Sequence, residues 1–169
     1  MYVKLSYFED SYFCQIIKNS DKFLFVRVIS DWHFDGYMIF VKKYIKSIKH
    51  TELLEFQQKV VEFYDKGQKK DVSWLNLNSY DVMFCSLREN YNEICIEGAT
   101  ENVNQFMIGK IASFDEKCLY INKLNTFGKI TKIKYDIPIK EITAIFFGDE
   151  YSKLLFEYSK KTPIKRRID

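Results

Sequence analysis

One order of events occurs twice along this chain, and it constrains the fold more than any single residue. Lys42-Lys43-Tyr44-Ile45-Lys46-Ser47-Ile48-Lys49 and Ile139-Lys140-Glu141-Ile142-Thr143-Ala144-Ile145-Phe146 each read as a strand carrying Ile-x-x-Ile. Each runs within a few residues into a polar turn and a Leu-Leu pair, Leu53-Leu54 and Leu154-Leu155. Upstream the match continues. Phe25-Val26-Arg27-Val28-Ile29, a turn at Phe34-Asp35-Gly36 and the run Tyr37 to Val41 have counterparts in Ile108 to Ala112, a turn at Phe114 to Lys117 and Cys118 to Ile121. A repeated unit has to bury its apolar face against its neighbour or on itself, so two similar β units are the first expectation. Two unrelated β-meanders within one domain are the alternative.

The strands are marked by β-branched and aromatic residues at Tyr2 to Phe8, Tyr12 to Lys18 and Phe23 to Asp31, with Asp35-Gly36 as the hairpin turn. Further strands are expected at Asp81 to Leu87, Glu93 to Ile96, Val103 to Ser113, Lys117 to Leu124, Gly128 to Tyr135 and Ile137 to Phe147. Pro138 lacks a ladder donor and marks a start, an edge or a bulge. Thr51 is an N-cap, with Glu52 in the first turn of an amphipathic helix. Leu53, Phe56, Val60 and Phe63 recur along it, widened by Leu54, Val61 and Tyr64, and Gly67 ends it. Tyr151, Leu154, Leu155 and Tyr158 give a short second helix over Glu150 to Tyr158. The organisation is then a first β unit with its helix over residues 1–67, a connector over 68–80, a second unit over 81–159 and a basic tail over 160–169.

This pattern, a strongly bent meander with an Ile-x-x-Ile strand and a short helical turn at its end, resembles the small SH3-like and Sm-like barrels. The stretch Trp32-His33-Phe34-Asp35-Gly36-Tyr37 leading to Ile45-x-x-Ile48 is also similar to segments of uncharacterised proteins of low-GC bacteria. The resemblance covers about residues 20–66 and 103–158. It implies a mainly β fold of two barrel units, each followed by a helix, and it implies no single activity, because such barrels bind RNA, bind peptides or act as scaffolds.

Composition limits function. The 169 residues are 47% apolar and 17% aromatic, which fits a packed globular protein. Four Arg against 22 Lys, with three Ala, is the usage of an AT-rich genome, so part of the aromatic excess reflects codon supply. Net charge is +3, but the tail from Lys160 to Asp169 carries +4, leaving the body at −1. That is not the footprint of a dedicated nucleic-acid binder. Cys14, Cys85, Cys95 and Cys118 form no C-x-x-C pair, and the start Met1-Tyr2-Val3-Lys4 is unlike a signal peptide. With no long apolar run, a cytoplasmic protein with free thiols and no membrane span is expected.

Chemical constellations are few. Asp31, His33 and Asp35 would share one face of an extended segment, the arrangement of a small metal or general-base site. The chain has two histidines and six isolated glycines, and no nucleophile, phosphate-loop or zinc motif occurs. No enzyme activity and no cofactor are expected. Lys42, Lys43, Tyr44, Lys46 and Lys49 form one basic cluster, and Lys129, Lys132, Lys134 and Tyr135 another. With Lys165, Arg166 and Arg167 of the tail they could contact phosphates and stack on bases. Lysines on edge strands also serve to block aggregation. The expected function is non-catalytic binding of another protein, as an inhibitor, immunity-type protein or adaptor. An Sm-like RNA- or DNA-binding module is the alternative.

Overall fold

Alternating Val, Ile and Phe side chains with Gly or polar residues at their ends produce an almost continuous run of strands in the computed structural model. It describes residues 1–6, 11–65, 71–99 and 104–161. The first half comprises β1 (Tyr2–Leu5), β2 (Ser11–Asn19), β3 (Phe23–Ser30), β4 (His33–Val41), a 3₁₀ turn (Lys42–Tyr44), β5 (Ile45–Lys49) and α1 (Glu52–Tyr64). After α2 (Tyr80–Asn90) come β6 (Glu93–Ala99), β7 (Asn104–Phe114), β8 (Cys118–Leu124) and β9 (Ile130–Pro138). A second 3₁₀ turn (Ile139–Glu141), β10 (Ile142–Phe147) and α3 (Glu150–Lys161) complete the chain. The fold is mainly β.

All ten strands join one antiparallel sheet in the order β5-β1-β2-β3-β4-β10-β6-β7-β8-β9. Each half therefore lays its last strand beside its first, and each enters that last strand through a 3₁₀ turn. The expected closure into two barrels does not occur. Among the described residues the far side of β4 is occupied by β10, with Phe40 opposite Ala144 and Tyr37 opposite Phe147, so it is unavailable to β5 of its own half. The sheet stays open, with β5 and β9 as its edges.

Three apolar clusters hold it together. The largest draws Phe23, Phe25, Ile39 and Val41 from the first half and Ile94, Ile121, Ile142, Ile145 and Phe147 from the second, with Met83, Phe84 and Leu87 of α2 packed on them. The two halves thus share one core. A second cluster fills the first half with Val3, Leu5, Cys14, Val26 and Phe40, and a third seats Phe156 of α3 on Cys95, Ile108 and Leu124.

Three local expectations are corrected. Asp81 to Leu87 is helix, because Tyr80, Met83, Phe84 and Leu87 follow a helical period and the Ser79 hydroxyl accepts from the Val82 N–H at 3.5 Å. The uninterrupted run Val82-Met83-Phe84-Cys85 hides that period. The β3–β4 hairpin turns at Asp31 and Trp32, whose φ values of 45° and 64° are both positive, as a two-residue type I′ turn needs. Gly36, expected in that turn, lies within β4 at φ +72°, where an added Cβ would come 2.5 Å from the Asp149 nitrogen. Finally, the strand expected from Ile137 to Phe147 is two strands, since Pro138 closes β9 before the 3₁₀ turn. The connector also departs from a simple linker, because Leu75 and Leu77 are in the shared core and the Leu75 carbonyl accepts from Lys18 Nζ at 3.0 Å. Gly67 lies outside the described residues.

Candidate interaction surface

Helix α1 starts as its sequence dictates, with Thr51 Oγ1 accepting from the Leu54 N–H at 3.3 Å and Glu52 and Glu55 in the first turn. Its orientation is the unexpected part. It is fastened to the sheet at β2 and β3, where Gln15 Nε2 donates to Glu62 at 2.6 Å and Arg27 pairs with Asp65 at 2.8 Å. That face of the sheet is partly polar, so the helix side turned to it is Leu54, Gln57, Gln58 and Val61, of which only Leu54 and Val61 are fully buried. The larger stripe is left outside. Leu53 is 65% exposed, Phe56 59%, Phe63 77% and Tyr64 72%.

Four such side chains present on the order of 500 Å² of mostly apolar surface, near the upper end of the largest patch on ordinary monomers. Phe63 and Tyr64 pack edge to face at 5.4 Å, which fixes their rings relative to each other. Next to the helix, Tyr2, Phe13, Ile29, Asp31 and the exposed Trp32 line a hollow of about 220 Å³ with Gln57. The positive φ of Trp32 in the hairpin turn places this indole at the rim of the helix face. Glu52, Glu55 and Glu62 against Lys59 make the surround acidic.

The basic clusters are placed elsewhere. Lys46 and Lys49 stand exposed on β5, and Lys132, Lys134 and Tyr135 stand exposed on β9, at the two opposite ends of the strand order. Lys42, Lys43 and Tyr44 form the first 3₁₀ turn, and Lys129 lies in the loop before β9. Residues Lys165, Arg166 and Arg167 lie outside the described residues. Lysine on an exposed strand edge opposes pairing with further chains.

The polar trio does not assemble. Asp31 is in the hairpin turn, His33 opens β4 with its ring Nδ1 3.3 Å from the Asp31 carbonyl, and Asp35 Oδ1 accepts from the Glu150 N–H at 2.8 Å. Asp35 therefore caps the start of α3. Among the described residues no group of His, Cys, Asp and Glu has the geometry to hold a metal ion. Two of the four thiols are fully enclosed: burial pushes Cys14 and Cys95 each up to about 12. A thiol so protonated is a poor nucleophile near neutral pH.

A feature that sequence reasoning missed lies where the two 3₁₀ turns meet. The Tyr44 hydroxyl and Lys43 Nζ both donate to the Lys140 carbonyl, tying the first turn to the second. Beside this tie is a cleft of about 640 Å³ lined by Lys43, Tyr80, Lys117, Pro138, Ile139 and Lys140, with Glu116 and Cys118 completing it. These residues come from four separated segments, and only the fold joins them. No helix of the described residues is long and apolar enough to cross a membrane. Compared with protein-family models, curated proteins and solved structures, the chain matches none.

Proposed function

We propose that this protein is a non-catalytic binding module that captures another protein through the outward face of α1. The exposure of Leu53, Phe56, Phe63 and Tyr64 carries this reading, because folding leaves large apolar side chains on one helix face uncovered when the surface has another use. A standard interface needs about 800 Å² from each partner, and Trp32, Tyr2 and Phe13 beside the helix extend the patch toward that size. The partner that fits is a protein with an apolar groove and a basic rim, complementary to Glu52, Glu55 and Glu62. An inhibitor, immunity-type or adaptor role is the biological form of such capture.

On this reading the architecture is a tandem of SH3/Sm-like units that have merged into one sheet. The matched strand order of the two halves and the matched 3₁₀ turns support it. Nucleic-acid binding through the Lys and Tyr clusters is less favoured, because exposed lysines on the edge strands β5 and β9 serve equally to block edge pairing. The test is retention of macromolecules from an extract of the source organism by wild type and by Phe56→Ser/Phe63→Ser, at low and high salt and with and without nuclease. Loss confined to the α1 variant is expected. Retention that disappears with nuclease or salt would instead favour nucleic acid.

A further inference from the structure

The cleft between the two 3₁₀ turns has the size and the charge of a small-molecule site. Its volume of about 640 Å³ lies within the roughly 300–1,000 Å³ of such sites. Its apolar walls are Tyr80, Pro138 and Ile139. The Tyr80 ring is fixed edge-on to Phe23 at 4.9 Å and packed on Phe84 at 6.0 Å, so one wall is a rigid aromatic surface. Around it stand three ammonium groups, Lys43, Lys117 and Lys140, against the single carboxylate of Glu116. Among the described residues none of the three lysines is ion-paired. Lys43 gives one donor to the Lys140 carbonyl at 3.4 Å, and its ammonium lies 4.6 Å from the Tyr44 ring centroid, a contact that leaves its charge unneutralised.

We infer that this cleft binds a small organic anion, its carboxylate, sulfonate or phosphate held by Lys43, Lys117 and Lys140 and its apolar or aromatic body laid against Tyr80, Pro138 and Ile139. The Lys43–Lys140 tie connects the two 3₁₀ turns, so a bound anion would also brace the seam between the halves of the sheet. This site is independent of the α1 face.

Cys118 supplies a local reporter. It lines the cleft and is partly exposed, whereas Cys85 is partly exposed on α2 and does not line it. Anilinonaphthalene sulfonate serves as the probe, with the Phe56→Ser/Phe63→Ser protein as the background so that the α1 face does not compete for it. Iodoacetamide alkylation of each cysteine is followed by mass spectrometry. The probe is expected to slow labelling of Cys118 and leave Cys85 unchanged. In the added Lys43→Gln/Lys117→Gln/Lys140→Gln variant, whose three exposed lysines are not part of the core, the probe concentration needed should rise about tenfold or more, through loss of charge-assisted contacts. The uncharged analogue phenylnaphthylamine should not protect. Equal slowing of both cysteines, no slowing, protection by the neutral analogue, or indifference to the lysine changes would each overturn the inference.

Discussion

Helices α1 and α3 follow corresponding strands in the two halves, yet the sheet treats them differently. Under α3 the sheet offers Cys95, Ile108 and Leu124, and Phe156 is driven into them until it is 1% exposed. Beneath α1 the sheet offers Gln15 and Arg27, and the helix answers with Glu62 and Asp65. The consequence is that α3 buries its phenylalanine and exposes Tyr151, Leu154 and Tyr158, whereas α1 keeps both of its phenylalanines, Phe56 and Phe63, outside. A helix fastened by polar contacts and two aliphatic residues leaves its aromatic face available to a partner.

That contrast can be broken most severely at Phe156. Phe156→Ala should destabilise by about 3–5 kcal/mol, the usual cost of emptying a buried aromatic site, seen as a lower denaturant midpoint. Asp65→Ala should cost about 1–3 kcal/mol, because the nearly buried Arg27 loses the Asp65 carboxylate. The guanidinium also lies 3.6 Å from the Phe34 ring centroid, and that contact limits the loss. If Asp65→Ala costs as much as Phe156→Ala, the two helices are not anchored in different ways.

Alkaline titration sharpens the same comparison. An unfolded thiol ionises near about 8.5, but burial holds Cys14 and Cys95 protonated up to about 12. Between those values the unfolded state has lost protons that the folded state retains, so stability falls as pH rises. Below the unfolded value these two groups contribute no pH dependence. The denaturation midpoint should decline from about pH 8.5 upward. Cys95→Ala, beneath α3, should flatten the slope of that decline. Smaller still is the cap: Thr51→Ala should cost about 1 kcal/mol. Phe56→Ser/Phe63→Ser should change stability by no more than about 0.5 kcal/mol per site, as exposed positions do.

The strands were legible because β-branched and aromatic runs bounded by turn residues leave little choice; β2, β3, β7 and β8 fall within a few residues of where they are expected. Helix α2 was hidden, since Val82 to Cys85 is equally apolar at period two and at period 3.6 until Tyr80 and Leu87 are given a common face. The outward orientation of α1 was beyond a local reading. Leu53-Phe56-Val60-Phe63 and Leu54-Gln57-Gln58-Val61 both have helical spacing, and the polar sheet face at Gln15 and Arg27 decides between them. The basic clusters were visible as charge but not as opposite edges, because strand order is a property of pairing and not of spacing. Likewise Asp35-Gly36 carried a strong turn signal, but these residues serve the close approach to Gly148 and Asp149.

The most direct measurement compares protein capture from an extract of the source organism, after nuclease and at high salt, by wild type, Phe56→Ser/Phe63→Ser and Tyr151→Ser/Leu154→Ser. The account predicts a stoichiometric protein partner held by wild type and by the α3 variant and lost by the α1 variant, with all three equally folded. Retention of the same partner by the α1 variant, or capture of nucleic acid alone, would contradict it.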